Sequence, residues 1–135
     1  MTLRSLALTA VLVAFPMLGQ ALTLECSMDR SKAGGGYITD VYILQHDAAT
    51  GRAIVSDGLI LHFNDEQPML ATVSEDTATK LVLTWKVRMT NRTGQSANMQ
   101  FRAAFFRGDQ TLVVRAAPGG DYSNRFERRG RCTPV

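Results

Sequence analysis

From Lys80 to Ala117 apolar side chains recur at every second position, in three successive runs, a spacing that no helix can sort onto one face. In Lys80–Thr90, Leu81, Leu83, Trp85, Val87 and Met89 share one face, with Val82, Thr84, Lys86 and Arg88 on the other. In Asn98–Arg107, Met99, Phe101, Ala103 and Phe105 alternate with Gln100, Arg102, Ala104 and Phe106. In Gln110–Ala117, Leu112, Val114 and Ala116 alternate with Thr111, Val113 and Arg115. Successive strand side chains point to opposite sides of a sheet, so these are half-buried strands with an identifiable core face. A short Gly108-Asp109 turn joins the last two. The longer Asn91–Ser96 loop, containing Gly94, joins the first two.

Elsewhere the same reading gives strands over Leu22–Met28, Tyr37–Asp47, Ala53–Ser56, Leu59–Phe63, Met69–Val73 and Arg125–Cys132. Asp57-Gly58, between two of these, is the signal for a tight hairpin. The Gly34-Gly35-Gly36 run lacks the spacing of a phosphate loop and reads as a mobile connection. About eight strands at intervals of roughly ten residues predict an all-β domain, a single small antiparallel barrel or sandwich. Adjacent strands with tied ends favour a closed or nearly closed barrel.

The tie is a pair of cysteines, Cys26 and Cys132. Residues 1–21 have the layout of a secretory signal: Arg4, an apolar stretch from Leu6 to Leu18, then Gly19 and Ala21 before the cut. The apolar run is shorter than the about 20 residues a spanning helix needs. Glu25 stands where a lipidated Cys26 would want a small residue. The expectation is a domain over 22–135, periplasmic or secreted after cleavage near Ala21, with no transmembrane segment left. Two cysteines in an exported chain read as one disulfide, and neither has a CxxC partner or nearby histidine. Closing a loop of that length is worth about 4–5 kcal/mol, a large share of the about 5–15 kcal/mol that holds a typical domain.

Charge is split along the chain. Residues 22–79 carry three basic and nine acidic side chains, a net −6; residues 80–135 carry eleven and three, a net +8. A two-residue turn at Gly108-Asp109 pairs Arg102 with Arg115, and one register of the Asn91–Ser96 loop sets Arg88 beside Arg102, with Lys86 just along. Like charges placed opposite one another destabilise a sheet unless something offsets them. Either the acidic half folds over this row, or the arginines splay into solvent, or Lys86, Arg88, Arg102 and Arg115 form an anion-binding face, for which the planar guanidinium fork is suited. Arg125, Arg128, Arg129 and Arg131 extend the patch or form a solvated tail. The partner such a face implies is an acidic protein or an anionic envelope component, not nucleic acid.

Catalytic signals are sparse. His46 and His62 read as surface or edge histidines, too few for the three or four ligands of a zinc site. No GxSxG is present, and the pairs Asp65-Glu66 and Glu75-Asp76 fall in predicted loops. The expectation is a non-catalytic protein with no cofactor and no metal; a hydrolase using His62 with Asp65 is the weakest alternative. Trp85 faces the core, and Tyr122 sits on a turn before the last strand, capping the barrel or leading a binding loop.

Cys26, the Thr50-Gly51…Val55-Ser56-Asp57 stretch, Thr84-Trp85, and the Pro118-Gly119-Gly120-Asp121-Tyr122…Gly130-Arg131-Cys132 ending together resemble small Cys-bracketed exported proteins of alphaproteobacteria, which have no assigned function. That resemblance implies a periplasmic setting and no activity. The architecture also resembles periplasmic lysozyme inhibitors, small disulfide-bearing barrels that insert a loop with a Ser-Gly-x-x-Tyr type motif into the enzyme's cleft. Pro118–Tyr122 has the glycine and tyrosine but no serine and lies near the C-terminus, so no inhibitory residue carries over. The expected function is binding of an anionic partner through the basic face. The alternatives are an inhibitor-like barrel and a barrel with an interior small-molecule site lined by Trp85, Phe101 and Phe105.

Overall fold

The computed structural model describes residues 21–119 and 124–135. The export signal and Tyr122 lie outside the described residues. Eight strands follow one another around a closed antiparallel barrel: β1 (Leu22–Met28), β2 (Val41–Asp47), β3 (Arg52–Ser56), β4 (Met69–Asp76), β5 (Lys80–Thr90), β6 (Ser96–Phe106), β7 (Thr111–Pro118) and β8 (Phe126–Pro134). Each strand pairs with the next, and β8 returns to β1. Closure pairs every strand with two neighbours over at least part of its length, where an open sheet would leave two whole edges free.

Cys26 and Cys132 stand directly opposite each other across the β1–β8 seam and are bonded. On the same seam Gly130 faces Met28, and a Cβ there would collide with the Ser27 carbonyl and with Met28. Only glycine lets these strands approach so closely.

The core is the inner face that alternation marks. Leu81, Leu83, Trp85, Val87 and Met89 of β5 are buried, as are Met99, Phe101, Ala103 and Phe105 of β6 and Leu112, Val114 and Ala116 of β7. The pairings Phe105–Leu112, Ala103–Val114 and Phe101–Ala116 follow from the Gly108-Asp109 turn, as expected. Trp85 and Phe101 stack with centroids 5.4 Å apart and planes 3° from parallel, and Tyr42 lies against Trp85 at 6.1 Å. Phe105 is buried with them, and Trp85 and Phe101, two of the residues expected to line an interior ligand site, also border the larger of the two concavities described below. Val82 and Ala104, paired on the outer face, are also buried. A bulge in β4 between Val73 and Glu75 accompanies this, with the Ser74 hydroxyl donating to the Val82 carbonyl at 3.4 Å.

Four expectations are corrected. Residues 58–63 form no strand: α1 (Gly58–Phe63) is a helix, and Asp57 is its N-cap, its carboxylate accepting from the Ile60 N–H at 2.7 Å. Aspartate before glycine can cap a helix as well as turn a hairpin. Burial decides between them here, because Ile60 enters the core and Leu59 and Phe63, one helical turn apart, pack against it. The glycine run is also built rather than free. Lys32–Gly34 is a 3₁₀ turn capped by Gly35 at φ 57°, and a Cβ on Gly34 would press on the Arg128 stem.

Arg128 itself is no solvated tail. It is only 6 % exposed, because β8 alternates Arg128 and Cys132 onto the inner face. Its guanidinium donates to the Asp29 and Ile38 carbonyls and to Asp40 Oδ1 at 3.0 Å, pinning the β1–β2 connection to the barrel end. Likewise His46 is 5 % exposed, in step with Tyr42 and Leu44 on the inner face of β2, with Nε2 3.7 Å from Asp76 Oδ2.

Candidate functional site

A groove of about 920 Å³ across β4 to β8 brings Lys86, Arg102 and Arg115 together with Arg125, with the core residues Trp85, Phe101 and Ala116 also bordering it. Alternation puts Lys86, Arg102 and Arg115 on the outer face of β5, β6 and β7, and Arg125 joins them from the chain just before β8. Thr72, Thr84 and Gln100 supply neutral hydrogen-bonding groups along it, and Leu70 forms its apolar rim. Arg102 and Arg115 are directly opposite each other, as the turn geometry requires.

What relieves that like-charge pair is Glu127, from a strand whose register the sequence did not reveal. Glu127 faces Arg115 across β7–β8, and Arg115 Nε donates to Glu127 Oε2 at 2.7 Å. Arg129 Nη2 is 3.7 Å from the same carboxylate. The Arg115 hydrogen bond holds the Glu127 carboxyl below the usual carboxylate range. The missing signal was the β7–β8 connection: no turn motif over 118–125 fixes which β8 residue faces Arg115.

Arg88 is placed differently from the expectation. It pairs with Asn98, while Thr84 takes the position beside Arg102. The loop is tighter than expected because Asn91 organises it, its Oδ1 accepting from the backbone of Thr93 and Gln95 and from the Thr93 hydroxyl. The ladder therefore runs on to Thr90–Ser96. Arg88 remains exposed on the outer wall, one Nη 3.3 Å from the Ser96 hydroxyl.

The acidic half does meet the basic half, but at the barrel ends. Asp76 binds Arg107 at 2.7 Å, Glu75 binds Lys80 at 3.3 Å and Asp40 binds Arg128 at 3.0 Å. Among the described residues Lys86 and Arg102 enter no ion pair, and Arg115 pairs only with Glu127. The groove thus carries four cations against one carboxylate, a local excess able to attract and orient an anion.

A second concavity lies at the barrel mouth. About 630 Å³ in volume, it is lined by Tyr37, Leu59, Phe63, Met89, Met99 and Phe126 with Asn91, Gln95, Ser96 and Asn124 around it. None of its described lining residues is charged.

The candidate hydrolytic pair is not assembled. His62 is exposed on α1, edge-on to Phe63, and no hydrogen bond among the described residues joins it to Asp65. Among the described residues no group of three or more His, Cys, Asp or Glu side chains converges on a metal position, and no helix is long and apolar enough to cross a membrane. The chain matches no protein-family model, no curated protein and no solved structure.

Proposed function

We propose that this barrel is a non-catalytic binding module that holds an anionic partner in the groove lined by Lys86, Arg102 and Arg115. The observation that carries the reading is the segregation of charge. Asp40, Glu75 and Asp76 pair with Arg128, Lys80 and Arg107 at the barrel ends, while the described groove keeps four cations and one acid. Two neighbouring guanidinium forks suit carboxylate or phosphate groups. The disulfide supports an oxidising compartment, periplasmic or extracellular, as the place of action.

The test is retention on immobilised polyglutamate and polyphosphate at low and high salt. The native protein is retained at low salt and eluted by salt, as exposed charges are screened. The double reversal Lys86→Glu/Arg102→Glu loses retention with an unchanged melting temperature. Retention that survives the reversal sinks the reading.

The mouth supports a second reading, a site for an uncharged small molecule. Its volume falls within the about 300–1,000 Å³ usual for ligand pockets, and its apolar floor carries an amide-bearing rim.

A further inference from the structure

The barrel wall is incompletely laddered beside the groove. β5 pairs with β6 along all eleven residues, from Lys80–Phe106 to Thr90–Ser96. Its pairing with β4 covers only Leu81–Thr84, and β4 turns to β3 from Ala71 back to Met69. The stretch of β5 after Thr84 therefore has no ladder partner on its β4 side among the described residues.

The direction of its backbone groups follows from one hydrogen bond. The Asn91 N–H donates to the Gln95 carbonyl at 2.9 Å, so odd-numbered residues of this hairpin turn their amides and carbonyls toward β6. Antiparallel ladders alternate, and the β5–β6 register is unbroken. Lys86 and Arg88 therefore present N–H and C=O groups to the open side. Their side chains stand exposed on the outer wall. At Thr90 the edge reaches the mouth, where Leu59 and Phe63 of α1 come alongside, so the free segment centres on Lys86 and Arg88.

An unpaired edge is a template for another strand. Its occupant is set by charge. A second copy joined edge to edge would bring Lys86 and Arg88 against their own kind, which opposes pairing. An extended acidic segment gains the same backbone bonds and finds cations beside it. Leu70, 65 % exposed, lines the groove with Lys86 and offers apolar contact to a residue of that segment.

We propose that the anionic partner is a polypeptide, and that it binds as an added strand on β5, its backbone paired with Lys86 and Arg88 and its carboxylates facing Lys86, Arg88 and Arg102. This rests on the basic-groove reading and specifies its partner. The mode also gives Arg88 a role that the groove alone does not.

Three probes of similar charge separate the possibilities: an eight-residue peptide alternating Glu with Val, the same peptide with its backbone amides N-methylated, and a short polyphosphate. The unmodified peptide is expected to bind and to slow hydrogen exchange at the Lys86 and Arg88 amides, while N-methylation weakens binding at least tenfold. Arg88→Glu is expected to weaken the unmodified peptide at least tenfold. Equal binding of the two peptides overturns strand addition and leaves the groove reading intact. Polyphosphate binding without peptide binding does the same. Failure of all three probes overturns both. A concentration-dependent dimer that protects the same amides replaces the acidic segment with a second copy and also overturns the proposal.

Discussion

The β1–β8 seam and the β4–β5 junction close the same barrel by opposite means. At the seam the two chain ends meet with a disulfide at the centre of the ladder, a glycine that lets the strands touch, and Arg128 tying β8 to the β1–β2 connection. At the junction β4 carries a bulge, pairs with only the first part of β5 and leaves Lys86 and Arg88 without ladder partners among the described residues. The seam joins segments 106 residues apart, where fraying ends would open the barrel first. The junction joins neighbours in sequence, which stay close without a full ladder. Covalent and buried-charge reinforcement is thus concentrated where chain connectivity gives no help. The part left open is where the acidic half gives way to the basic one.

Removing the disulfide is the most severe test of that contrast. Cys26→Ser/Cys132→Ser is expected to lose about 4–5 kcal/mol of unfolding free energy, read by urea denaturation. A loss no larger than that of an ordinary surface substitution would mean that the seam ladder holds without the bond.

Arg128→Met comes next. It keeps the stem against Gly34 and deletes the guanidinium that satisfies the Asp29 and Ile38 carbonyls. A loss of about 2–4 kcal/mol is expected, in line with the removal of charged hydrogen bonds. Most of it comes from the buried carbonyls, because Asp40, the ionic partner, is 84 % exposed and well solvated. At the junction, Leu70→Ser is expected to stay within about 0.5 kcal/mol, as surface changes do. Equal effects at both places would break the comparison.

The smallest effect is one of pH. The Arg115 hydrogen bond depresses the Glu127 carboxyl. A depressed acid contributes stability that is present above its unfolded value, about 4.3, and lost as pH falls through the lower folded value. In that same fall the groove loses its one described carboxylate. Polyphosphate affinity is therefore expected to rise as Glu127 protonates, and Glu127→Gln is expected to show the raised affinity already at pH 7. An affinity insensitive to both changes would separate Glu127 from the groove.

How much was legible follows the range of the interactions. The Arg102–Arg115 pair was readable because the Arg107–Gln110 turn keeps the register that a short Gly108-Asp109 turn predicts. Arg88 was misplaced because Asn91 tightens its loop with side-chain bonds that a loop length does not reveal. Glu127 was missed because no local turn relates β8 to β7. The Asp57-Gly58 signal failed since the same aspartate serves a hairpin or a helix cap, and only the burial of Ile60 selects the helix.

By itself the sequence determined that the chain is all-β, which residues of β5, β6 and β7 face inward, and which two sulfurs pair. These depend on period-two alternation and on a cysteine count, both properties of the chain alone. The tertiary structure decided that Arg128 is buried, that acids neutralise bases at the barrel ends, and that Lys86, Arg102 and Arg115 share a groove beside an incompletely paired strand. Those depend on which distant strands become neighbours when the barrel closes. Electrostatic neutralisation and hydrogen-bond satisfaction act across that distance in space, whatever the separation along the chain.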